Sequence, residues 1–125
     1  VEPFDDAGGP AAAKTARFLS AALDTLFHEK LTRQQHALME CATAVVELEV
    51  AVALVRAAGI SGDALLQAQS RVFASDVALS VPARLLKLFN AAGVTPPEAD
   101  LAGVFALQIG RLADLDFIAR AITSD

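Results

Sequence analysis

Residues 33–58 read RQQHALMECATAVVELEVAVALVRAA, and they give the clearest indication of the fold class. Thr32 and Gln35 have the spacing of a capping box, which predicts a helix that begins at Arg33 and stops at Gly59. Its second half is apolar almost all round, so the helix lies centrally or faces a partner as well as its own core. The predicted core stripe consists of Leu38, Cys41, Val45, Leu48 and Val52, widened by Ala42, Val46, Val50 and Ala53.

A first helix is predicted before this stretch, from Pro10 or Ala11 to Lys30. Proline suits the first position of a helix because its missing N–H has no partner there. Apolar residues recur at spacings of three and four, which indicates one buried face. The expected core residues are Leu19, Leu23, Leu26 and Phe27, with Phe18 and Ala22 beside them.

Residues 1–10 are expected to form a linker or tail, because they combine aspartates, glycines and prolines without an apolar run. The chain opens with Val-Glu-Pro-Phe and has no initiator methionine. We therefore expect it to be a piece of a longer translation product. The single domain is predicted over residues 11–123.

A third helix is predicted to be capped by Ser61 or Asp63 and to continue towards Asn90. Pro82 lies inside its pattern, removes one backbone hydrogen bond and predicts a kink or break near Ser80. Apolar residues recur at intervals of seven, at Leu65, Val72, Leu79 and Leu86.

A fourth helix is predicted from Pro96 to about Thr123. Thr95 would be its N-cap, and Glu98 would close a capping box. Gly103 and Gly110 are seven residues apart near one face, which predicts close packing against a neighbouring helix. The expected core stripe is Leu101, Phe105, Gln108, Leu112, Leu115, Ala119 and Ile122, and Asp116 and Arg120 are expected to pair on the outer face.

No segment of the sequence alternates as a strand does, and the abundant alanines favour helix. Long helices joined by short turns pack as antiparallel neighbours. The sequence therefore predicts an all-α, up-down-up-down four-helix bundle, with the third helix kinked or broken near Pro82.

Composition excludes several classes of protein. The 125 residues are 54% hydrophobic with a net charge of −5, which excludes an intrinsically disordered chain. Cys41 is the only cysteine, so a disulfide scaffold is excluded and a reducing, cytoplasmic location is expected. Acidic residues outnumber basic ones 15 to 10, so no nucleic-acid partner is expected. Glu47 and Glu49 interrupt the most apolar stretch, so no membrane span is predicted.

The chemical motifs are few. His36 and Glu40 share a helix face, but two ligands are too few for a metal, and a polar surface pair is the expected role. Cys41 is expected to be a small buried hydrophobe. Glu40 and Glu47 lie two turns apart and are expected to form a solvated stripe or to pair with basic residues on a neighbouring helix. The basic residues of the third helix are dispersed and are expected to lie on a solvated face: Arg71, Arg84 and Lys87.

No catalytic, cofactor-binding or metal-ligating residue is predicted from these patterns. The sequence has no Gly-rich turn of the kind that cradles phosphate. A small helical enzyme resting on His36, Glu40 and Cys41 stays open as a third hypothesis, behind two non-catalytic ones.

Several short motifs lie at the starts, middles and ends of the predicted helices. The first helix ends in Phe-His-Glu-Lys-Leu at 27–31. The second helix opens with Gln34-Gln35, contains Ala-Val-Val-Glu-Leu at 44–48 and ends in Val-Arg-Ala-Ala at 55–58. Gln-Ala-Gln at 67–69 and Ala83-Arg84 fit the same layout. This arrangement, over roughly residues 12–122, resembles the extra C-terminal helical domain of very-long-chain-type acyl-CoA dehydrogenases.

The resemblance implies that the parent is an FAD-dependent oxidoreductase of fatty acid metabolism. In that family a glutamate removes the α proton of an acyl thioester and FAD accepts the hydride. The FAD contacts and the base belong to the core enzyme that precedes the extra domain, so no such residue is carried over to this chain. The resemblance implies a non-catalytic bundle that packs on the parent core domain or forms a homodimer. Membrane contact by this region is not expected here, because the net charge is negative.

The residues alone support an alternative: an independent four-helix bundle that serves protein interaction or dimerisation. Its basis is the second helix, whose apolar residues exceed what one core-facing side can hold.

Overall fold

The computed structural model describes residues 7–30, 34–98, 103, 106, 108 and 110–123. These residues include four α-helices of described bounds and no strand. The helices are α1 (Gly9–His28), α2 (Gln35–Ser61), α3 (Ala64–Ala92) and α4 (Arg111–Thr123). The predicted all-α, four-helix class is confirmed.

The segment before α1 contacts the rest of the molecule. Pro10 lies in the first turn of α1, as predicted. Ala7 lies within the stretch that was predicted as a linker or tail, yet it is fully buried. The Ser70 hydroxyl of α3 donates a hydrogen bond to the carbonyl oxygen of Ala7. These contacts hold the entry of α1 against α3.

The end of α2 differs from the prediction. Gly59 lies inside the helix, and Gly62 is the left-handed C-cap, with φ of 68°. A glycine inside a helix costs only about 1 kcal/mol relative to alanine, which the packing of a long helix offsets. The predicted capping residue Thr32 lies outside the described residues; Gln34 occupies the N-cap position, in an extended conformation.

α3 runs without interruption through Pro82, so the helix is not broken there. The predicted kink near Ser80 stays a prediction. Of the two predicted caps, Asp63 is the one used, since its side chain accepts a hydrogen bond from the Leu66 N–H at 3.3 Å. Only Gly62 and Asp63 separate α2 from α3, so the two helices form a tight hairpin.

The predicted start of the fourth helix is wrong. Residues 94–98 are not helical, so Thr95 and Pro96 do not open a helix. Pro97 disfavours the helical conformation for Pro96, the residue before it. Gly103 and Ala106 are helical, and Leu101 and Phe105 lie outside the described residues.

Gly110 also differs from its predicted role. It has φ of 91°, and a Cβ on it would meet nothing within 4 Å, so it makes a turn before α4 and does not mark close helix packing. The packing predicted for Gly103 stays a prediction.

The core is built around α3, which packs against each of the other three helices. The largest fully buried side chains include Phe89, Leu26 and Leu85. Leu19, Leu26, Phe18 and Ala22 of α1 are buried as predicted. The core prediction is wrong for the residues of the predicted apolar stripes that are exposed: Phe27, Leu38, Ala42, Val46, Val50, Ala53 and Leu79.

The buried side of α2 is displaced from the predicted stripe by about one residue. Its buried residues are mostly small: Ala37, Cys41, Ala44, Ala51, Val55 and Ala58. Val45 and Leu48 pack only at the edge of this core. Alanines allow α2 to approach its neighbours closely, and the larger apolar residues are left on other sides of the helix.

Candidate interaction surface

A polar cluster joins α2 to α3. The Arg84 guanidinium donates hydrogen bonds to Glu40 at 3.1 Å and to Glu47 at 2.9 Å. The Ser80 hydroxyl also donates to Glu47. The prediction that Glu40 and Glu47 pair with a basic residue of a neighbouring helix is confirmed, whereas the assignment of Arg84 to a solvated face is wrong.

This cluster is structural rather than reactive. The hydrogen bond to Glu40 is the largest cause that raises the pKa of Arg84, with Glu47 adding to it against the opposing effect of burial, so the guanidinium stays charged. One guanidinium that bridges two carboxylates of α2 fixes the rotation of α2 about its own axis. The rotation determines which face of α2 is left outside.

The three residues of the enzyme hypothesis do not form a common site. His36 and Glu40 line an open cleft between α2 and α3, together with Arg84 and Lys87. Cys41 is only 5% exposed and belongs to the core, as predicted. Burial and then the nearby Glu40 raise the pKa of the Cys41 thiol, which keeps it in its protonated, weakly nucleophilic form. In the part of the chain that the structure describes, no three His, Cys, Asp or Glu side chains are grouped as metal ligands.

The outer face of α2 carries a long exposed apolar stripe. We call it the interaction stripe; its members are Met39, Thr43, Val46, Val50, Ala53, Ala57 and Ile60. All seven are exposed, and the large ones strongly so: Met39 by 61%, Val46 by 58%, Val50 by 49% and Ile60 by 81%. Successive members are alternately four and three residues apart, which is the spacing of a helix–helix seam. The stripe is about 30 Å long, at ~1.5 Å per residue.

The two flanks of the interaction stripe differ in charge. One flank carries Glu49 and Arg56, both exposed and seven residues apart. The other flank carries Leu54 together with Glu40 and Glu47, which share the single positive charge of Arg84 from α3. Arg84 therefore offsets one of the two negative charges on this edge of the stripe.

α4 is attached to α3 by polar contacts. Arg71 makes two hydrogen bonds to Asp114, at 3.0 and 2.8 Å, which corrects its assignment to a solvated face. Arg111 contacts Asp76 at 2.7 Å and the Ser75 hydroxyl at 3.0 Å. These polar contacts anchor α4 to α3. The spacing of apolar residues in the sequence did not predict them.

No residue of α4 is buried. The apolar residues that were predicted as its core stripe are exposed, with Leu112 at 83%, Ile122 at 72% and Leu115 at 39%. The predicted pair of Asp116 and Arg120 is confirmed, at 3.1 Å on the outer side.

No family model, curated protein or solved structure matches this chain. Among the helices of the described residues, none combines the length and apolar character that a bilayer crossing requires.

Proposed function

We propose that this bundle is a non-catalytic packing module that associates with a second copy of itself through the interaction stripe of α2. The observation that carries the proposal is the run of seven exposed stripe residues at heptad spacing. A helix that keeps small residues for its own core and presents larger apolar residues outside has two packing faces. Within the part of the chain that the structure describes, the small-residue face is buried and the interaction stripe is exposed.

The physical basis of association is burial of the exposed apolar side chains. Each square ångström of apolar surface removed from water contributes roughly 25 cal/mol. Val46, Val50 and Ile60 are 58%, 49% and 81% exposed in the single chain and would lose that exposure in a pair. Twofold pairing is the commonest way for a soluble chain to cover such a face, because the same surface serves both copies.

The first prediction is that Val50→Asp abolishes the association. Val50 lies in the middle of the interaction stripe, and a carboxylate there would be desolvated without a partner in the pair. We expect light scattering to give twice the 13.0 kDa chain mass for the unaltered protein and a single chain mass for the variant.

Phe27→Asp is the matched control. Phe27 is 71% exposed on α1, outside the stripe, so the same kind of substitution should leave the doubled mass unchanged. A single chain mass for the unaltered protein at all concentrations, or a doubled mass for Val50→Asp, would contradict the proposal.

A second candidate function is the appended bundle of an FAD-dependent acyl-CoA dehydrogenase. What favours it is the order of motifs from Phe27 to Ala58, together with the two long consecutive helices α2 and α3, of 27 and 29 residues. In that case the interaction stripe would pack on the parent core domain or on the other subunit. No residue of this chain is proposed to contact FAD.

A further inference from the structure

The interaction stripe has a charge pattern that selects one arrangement of two copies. We infer, on the basis of the proposed self-association, that the α2 helices of two copies pack antiparallel, with Glu49 of each copy against Arg56 of the other. Both residues are exposed on the same flank of the stripe, and they carry opposite charges seven residues apart.

The antiparallel direction follows from which flanks meet. When a twofold axis lies between two antiparallel helices, each flank of the seam stands next to the same flank of the other copy. The flank with Glu49 and Arg56 then meets itself, and two opposite-charge pairs can form. In a parallel pair that flank meets the other one, where Glu40 and Glu47 are already bonded to Arg84.

The register follows from the same two charges. Sliding one helix by a heptad in one direction places Glu49 opposite Glu49, and sliding it in the other direction places Arg56 opposite Arg56. Both alternatives put like charges together, which is unfavourable at the flanks of a helix–helix seam. Only the intermediate register pairs Glu49 with Arg56, and symmetry makes the pair twice.

Side-chain size in the seam agrees with this register. In it, Val50 of one copy faces Ala53 of the other, and Val46 faces Ala57. Thr43 faces Ile60 in the next layer. Each layer therefore combines a larger with a smaller side chain, which fills the space between closely approaching helices. In one of the shifted registers Ala53 would face Ala57 and leave the layer underfilled.

The second prediction is a charge-reversal experiment on the full chain. E49R and R56E, made singly, turn both pairs into like-charge contacts, and we expect each to raise the dissociation constant of the dimer about tenfold at low salt. The double variant E49R/R56E restores opposite charges and should return the dissociation constant to near that of the unaltered protein. Sedimentation equilibrium at low and high salt measures all four proteins.

E29R serves as the matched control, because Glu29 is exposed at the end of α1 and outside the seam. It should leave the dissociation constant unchanged. If the unaltered protein dimerises but the single variants have no effect, or the double variant is not restored, the antiparallel register is wrong while the proposed function stands. If the unaltered protein is a monomer, both fail.

Discussion

At Gly8, both the backbone conformation and the packing require a residue without a Cβ atom. Its φ of 99° lies in the left-handed region. A Cβ built on it would approach the Cβ of Ala74 to 2.8 Å and the Cα of Arg71 to 3.3 Å. Glycine therefore lets the chain turn into α1 while touching the surface of α3.

The third prediction concerns this contact. Gly8→Ala should lower the free energy of unfolding by about 1 kcal/mol for the left-handed conformation and by a further ~1–3 kcal/mol for the clash with α3. Gly62→Ala is the control, since Gly62 has φ of 68° but nothing within 4 Å of its Cβ position. Urea unfolding of both variants measures the difference, and equal losses would mean that the close approach to Ala74 is unimportant.

At the scale of elements, α4 is the helix with the weakest apolar attachment. It has no buried residue, and its described contacts with α3 include the paired hydrogen bonds of Arg71 to Asp114 and the contacts of Arg111. Such charged contacts at a partly exposed surface weaken as salt screens them. α4 should therefore open more readily than α1, α2 and α3.

The fourth prediction is that Asp114→Ala detaches α4 while the rest of the bundle stays folded. Loss of the carboxylate leaves Arg71 without these two charge-assisted hydrogen bonds, which together contribute roughly 1–2 kcal/mol because the Arg71 side chain is 38% exposed. Hydrogen exchange should accelerate over Arg111–Thr123 and stay unchanged in α1 to α3.

Asp116→Ala is the control for α4. It removes a carboxylate from the same helix, but its pair with Arg120 is exposed on the outer side and contributes only about 0.3–0.5 kcal/mol. Equal acceleration in both variants would show that the contact with Arg71 does not hold α4.

At the scale of the whole molecule, the described residues form a bundle centred on α3, with apolar surface left on α2 and α4. A domain that leaves so much apolar surface exposed is suited to pack against another protein surface. The two candidate functions differ in that surface, which is a second copy of the chain in one and a parent core domain in the other.

The fifth prediction distinguishes the two candidate functions by the size and the visible spectrum of the natural protein that contains this segment. If the dehydrogenase proposal is right, the product purified from its source is several times larger than this chain and has a flavin absorption band. The isolated chain, which carries no proposed FAD contact, stays colourless. A colourless product no longer than this chain would contradict the dehydrogenase proposal and leave the self-associating module.

The helical class and several helix ends follow from local features of the sequence. Two local signals correctly placed helix starts, Pro10 in the first turn of α1 and Asp63 at the N-cap of α3. The equally local signals at Gly59 and Thr95 did not. The burial of Leu19 and Leu26 also followed from periodicity, because α1 has a single apolar face.

Which face of α2 is buried depends on contacts with the other helices. Apolar residues surround that helix, so periodicity could not choose between Leu38 and Ala37, and the bulkier residue was predicted wrongly. Close approach to α3 and the bond from Arg84 to Glu40 and Glu47 turn the small residues inward. The interaction stripe and the polar attachment of α4 both depend on contacts between residues far apart in the chain, which no local pattern specifies.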